Sequence, residues 1–173
     1  DKNFSWVVTI EGQDISDTIL SGKFIRGVVG EDIGFDVELD NSGEQYTGEF
    51  TQGDIIIFII NFDGNDYKQF EGEVEKIHAT NTNTGFTLKI SGGHYQNNLL
   101  NITINKEFTN TSISSILNSL VGEFLSGYTT TNVETISTTT SIKFINKSFF
   151  DCVLDLMKIG DADCYVDNSK DFH

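Results

Sequence analysis

Carboxylates dominate the side chains of this sequence that can do chemistry: 26 Asp and Glu stand against 11 Lys and Arg, three His and two Cys. Glycoside hydrolysis needs two carboxylates poised across a cleft, one of them held protonated by its surroundings. Glu71, Glu73 and Glu75 occupy alternate residues, and Asp32, Asp36, Glu38 and Asp40 share one parity. In strands that spacing lines the carboxylates along one face instead of setting them across a cleft. His78, His94 and His173 have no metal-ligand spacing, and Cys152 and Cys164 form no Cys-x-x-Cys. Each Cys sits among apolar or strand-like neighbours, as buried free thiols do. Asp63-Gly64-Asn65-Asp66 lacks the regular oxygen spacing and terminal Glu of an EF-hand loop and reads as a hairpin turn. No nucleophile motif, phosphate loop or dinucleotide fingerprint is present. The Asn-x-Ser/Thr triplets at Asn101, Asn110 and Asn146 are expected by chance in so Asn- and Thr-rich a chain, and the last two fit helix entry. The residues point to no catalysis, no cofactor and no metal.

The elements that carry these residues belong to a folded protein, with 38% hydrophobic residues and fourteen Phe in 173. A net charge of −15 and a pI near 4.3 repel nucleic acid and anionic membranes. No apolar run approaches the ~18 residues of a membrane span, and no signal peptide opens the chain. The sequence starts without Met and stops at Asp171-Phe172-His173 as an alternating pattern resumes, which reads as part of a longer protein. Proline is absent, so Gly, Asn and Asp mark the turns.

The best-defined stretch runs from Phe50 to Ile77 and predicts a β-hairpin. Ile55 to Ile60 is apolar on both faces, which places this arm inside a sheet or barrel. The second arm alternates, with Phe70 and Val74 on one face and Glu71, Glu73 and Glu75 on the other. Phe4, Trp6, Val8 and Ile10 predict a first strand; a second, from Ile19 to Val29, is broken by Gly22, Gly27 and Gly30. Ile33, Phe35, Val37 and Leu39 alternate with Asp32, Gly34, Asp36, Glu38 and Asp40, one face core and the other acidic. Phe86, Leu88 and Ile90 give a further half-buried strand. Strands joined by short connections favour an antiparallel barrel or sandwich over residues 1–95.

Gly92 to Asn98 reads as a linker and Leu99 to Ile104 as a strand, opening a second domain over 96–173. Phe108-x-Asn110-x-Ser112-Ile113 recurs 36 residues later as Phe144-x-Asn146-x-Ser148-Phe149. Each copy predicts strand, cap and helix. Ile113, Ile116, Leu117, Leu120, Val121 and Phe124 fall at helical spacing, as do Phe149, Cys152, Val153, Leu156 and Met157. Ser112 and Ser148 are the expected N-caps, and Gly127 and Gly160 stand where the helices should stop. Thr129 to Ser141 predicts a loop, and alternation from Ala162 to Val166 another strand. The fold class is α+β, a β-barrel or sandwich followed by a smaller domain with two strand-helix units.

The two acidic strand faces admit two readings. One is a solvated surface; the other is the wall of a lumen built from several copies, where stacked like charge keeps DNA from adhering. Across strands, facing like charges cost stability.

Gln52-Gly53-Asp54-Ile55-Ile56-Ile57, Phe70-x-Gly72-x-Val74-x-x-Ile77 and Thr87-Leu88-Lys89-Ile90-Ser91-Gly92 occur in an order that resembles the baseplate hub proteins of tailed phages. This is the late control protein D family, with relatives in contractile injection systems. The Phe108-x-Asn110-x-Ser112 entry with Ile116-Leu117, and the Ser148 to Gly160 helix leading to Cys164-Tyr165-Val166-Asp167, extend the likeness along most of the chain. The resemblance implies a tail-tube β-barrel followed by an α+β domain, in a non-enzymatic virion protein of the tail baseplate. It implies a homo-oligomer, a trimer, that joins the tail tube protein to a central spike protein and passes DNA or effectors as non-sticking cargo. On that reading Asp32, Asp36, Glu38, Asp40, Glu71, Glu73 and Glu75 face the lumen. The alternatives are a surface adhesin or carbohydrate-binding β-domain, with aromatics such as Trp6 or Tyr46 lining a groove, or the non-catalytic part of a tail-associated hydrolase.

Overall fold

The structure is a computed structural model, and it describes residues 4–27, 33–82 and 85–173. The chain divides into two compact units, one built from residues up to Arg26 together with Ile33–His94, the other containing Tyr95–His173.

The first unit is a seven-stranded antiparallel sheet curled into a half-barrel around one apolar core. Its strands are β1 (Phe4–Ile10), β2 (Gln13–Asp14), β3 (Ile19–Phe24), β4 (Gly34–Asp40), β5 (Ile55–Phe62), β6 (Asn65–Thr82) and β7 (Gly85–His94). They lie in the order β2-β1-β5-β6-β7-β4-β3. The expected hairpin is β5–β6, closed by Asp63 and Gly64, both with positive φ (48° and 79°), the backbone of a tight type I′ turn. β5, apolar on both faces, is an interior strand between β1 and β6. Alternation places Phe35, Val37 and Leu39 of β4 inward beside Val8, Ile10, Ile56, Phe58, Phe70, Val74, Leu88 and Ile90. Phe70 is fully buried and packs against the rings of Phe24, Phe35, Phe58 and His94 at 5.7–5.9 Å.

Three sequence expectations are corrected here. Gly92-Gly93-His94 is not a linker: it is the end of β7, paired with both β4 and β6. These glycines pair because the strands approach too closely for side chains: a Cβ on Gly92 would lie 2.0 Å from the Glu73 carbonyl oxygen, and one on Gly34 2.6 Å from that of Gly92. Leu99 does not begin a strand; Tyr95–Asn101 is a 3₁₀ segment, and strand follows from Thr103. The break in β3 is a bulge between Ile19 and Ser21, one residue ahead of Gly22, while the Val28–Gly30 part of that expectation lies outside the described residues.

The second unit realises the repeat as β8 (Thr103–Ser112), α1 (Ile113–Phe124), β9 (Thr139–Ser148) and α2 (Phe149–Gly160). β8 and β9 pair antiparallel, and both helices pack on the resulting ribbon through the residues the spacing selected. The two copies exchange equivalent hydrogen bonds about a local pseudo-twofold axis. Asn110 N–H donates to Ser141 Oγ (3.0 Å) and Asn146 N–H to Asn105 Oδ1 (2.8 Å); Ile113 N–H donates to the Thr138 carbonyl (3.0 Å) and Phe149 N–H to that of Ile102 (2.7 Å). Asn110 and Asn146 both take positive φ, which Asn tolerates better than most residues.

Ser112 and Ser148 cap the helices as expected, accepting from the N–H groups of Ser115 (3.4 Å) and Asp151 (3.0 Å). The shorter bond makes Ser148→Ala the costlier change, about 1 kcal/mol, with a smaller loss for Ser112→Ala. Unfolding followed by far-UV circular dichroism measures both. The helix stops differ from expectation. Gly160 is the last helical residue, and the left-handed residue is Asp161, while α1 ends at Phe124 with Leu125 as an extended C-cap, ahead of Gly127.

Residues Ala162–Val166 make no regular strand; the segment after α2 is fixed by isolated bridges, Thr129 to Asp171 and Val166 to Phe172. Phe172 is fully buried against Tyr128 and Phe149. Burial acts to raise the pKa of Asp171, but hydrogen bonds from the Thr129 hydroxyl, the Thr131 N–H and the side chain and N–H of Asn132 outweigh it and hold the carboxyl below its usual 3.8. Its folded pKa is depressed, so its stabilisation is present above pH 3.8 and is lost as pH falls through the lower folded value. Asp171→Asn should therefore flatten the acid limb of the unfolding midpoint plotted against pH.

Candidate functional site

The sheet face opposite the core carries most of the carboxylates singled out from the sequence. On β4, Asp36 is exposed and Glu38 and Asp40 half-buried; on β6, Glu71 and Glu73 are half-buried. Asp32 lies outside the described residues. Asp40 accepts from the Ser42 hydroxyl and N–H, which lower its pKa.

The structure does not stack these acids against one another. β7 separates β4 from β6, and the acidic residues of the two strands are offset along the sheet. A bulge on β6 between Val74 and Lys76 takes Glu75 out of register as the extra residue. Beyond it Lys76, opposite Ser91, and His78, opposite Lys89, occupy the face that Glu73 holds before it. One rung thus reads Lys76, Ser91, Asp36, Lys23 across β6, β7, β4 and β3, and the next reads His78, Lys89, Glu38, Ser21. The Lys89 ammonium lies 3.8 Å from the Glu38 carboxylate, and Lys68 ion-pairs with Glu71. The face carries both signs of charge. Lys76 and His78 are the members that strict alternation along β6 missed, and the signal was the spacing of three between Val74 and Ile77, where period two calls for two; Lys23 and Lys89 join the face through the register of β3, β4 and β7.

A cleft of about 540 Å³ opens on the other side of the sheet, between β1 and β3, lined by Trp6, Val8, Ile19, Phe24 and Phe58 among others. Trp6 is 44% exposed and its ring meets that of Phe24 at 5.8 Å. Tyr46, the other aromatic considered for a groove, is buried and stacked on Phe50 at 5.5 Å.

In the second unit Cys164 and His173 line a cavity of about 360 Å³. His173 stacks on Tyr165 at 4.5 Å and lies 3.3 Å from Asp167. Burial pushes the Cys164 thiol up to about 12 and that of Cys152 up to about 11, so neither supplies a thiolate near neutral pH. No group of three or more His, Cys, Asp or Glu suited to a metal ion comes together among the described residues.

No protein-family model matches the chain, and no curated protein matches it by sequence. Solved structures do match. The 43 kDa tail protein of prophage MuSo2 from Shewanella oneidensis superposes with a TM-score of 0.74 at 15% identity, over 98% of this chain and 52% of that one. The tail protein from Neisseria meningitidis MC58 gives 0.63 at 10%, over 98% and 50%. A half-lidded PdpA-VgrG complex from Francisella gives 0.56 at 12%, over 100% and 31%. The chain spans about half the length of the two tail proteins. The half-barrel with its smaller α+β unit is therefore a tail-protein fold, shared with these structures over nearly the whole of this chain.

Proposed function

We propose that this chain is a structural component of a phage tail or contractile injection system, and within it a part of the baseplate hub. Copies assemble as a homotrimer into a ring that joins the tail tube to the central spike and lets DNA or effectors pass. The observation that carries this reading is the match to two tail proteins over 98% of the chain. The charged face bearing Asp36, Glu38, Asp40, Glu71 and Glu73, with Glu75 at the bulge beside it, lines the lumen. The carboxylates on that face outnumber the interleaved Lys23, Lys76 and Lys89, which favours a wall that does not grip a polyanion. The half-barrel and the face it presents supply geometry, and no covalent step is assigned to any residue.

Native mass measurement of the purified protein with its assembly partners tests the reading. Rings of three copies, or of six in a tube-like arrangement, support it. A stable monomer that binds glycans contradicts it and favours the adhesin alternative.

A further inference from the structure

We draw no further inference here: the strongest candidate, the cavity of about 360 Å³ between α1, the loop over 132–136 and the segment after α2, sets Glu134 and Asp163 beside an apolar lining that includes Ile113, Leu117 and Met157, and nothing in the structure shows what occupies it.

Discussion

Gly92→Ala should unfold the half-barrel at far lower denaturant than the wild type, with a loss of more than about 3 kcal/mol. The added Cβ would sit 2.0 Å from the Glu73 carbonyl oxygen, 2.9 Å from the Glu75 nitrogen and 2.9 Å from a ring carbon of Phe35. Backbone atoms on β6 cannot rotate away as the tip of a side chain can, so β7 and β6 must separate where the bulge sets the register of Lys76 and His78. Trp6 is the sole tryptophan and lies in this unit, so its fluorescence reports the transition without interference from the second unit. Gly22→Ala, whose Cβ would meet nothing closer than 3.7 Å, is the control and should leave the midpoint nearly unchanged. A Gly92→Ala protein that unfolds like the wild type would show that the strands are not so closely apposed.

Phe70→Ala should cost about 3–5 kcal/mol, as large-to-small changes at fully buried aromatic positions do. Phe70 is the ring that four others meet, so deleting it leaves a cavity that neither Phe58 nor Phe35 can fill without leaving its own contacts. It also precedes Glu71 on β6, so loosening it disorders the charged face along with the core. Phe70→Leu, which keeps most of the volume, should cost less than half as much. The same Trp6 transition in urea measures both, and equal midpoints for Ala and Leu would show that packing at this position does not govern the unit.

Much of this fold was legible because the periods are clean. The alternation through β4, the two apolar faces of β5 and the helical spacing in α1 and α2 each gave the element and its buried side. The repeat gave even the matching caps, since Ser112 and Ser148 recur at the same distance from Asn110 and Asn146. What escaped depended on contacts between distant strands. Gly92 and Gly93 look the same in a linker as in a crowded sheet corner, and only the approach of Glu73 and Gly34 separates the two. The acidic faces read as uniform because a single bulge residue, Glu75, reverses the parity of all that follows it on β6. Lys89 could be placed on a strand from its neighbours, but its position opposite Glu38 required the register.

The most direct measurement is an electron cryomicroscopy map of the assembled particle containing this protein. We expect copies of the half-barrel to form a closed ring, with Asp36, Glu38, Asp40, Glu71 and Glu73 turned toward its axis. A map that places those carboxylates on the outer surface contradicts the lumen assignment, and one in which the protein sits outside any ring contradicts the hub reading itself.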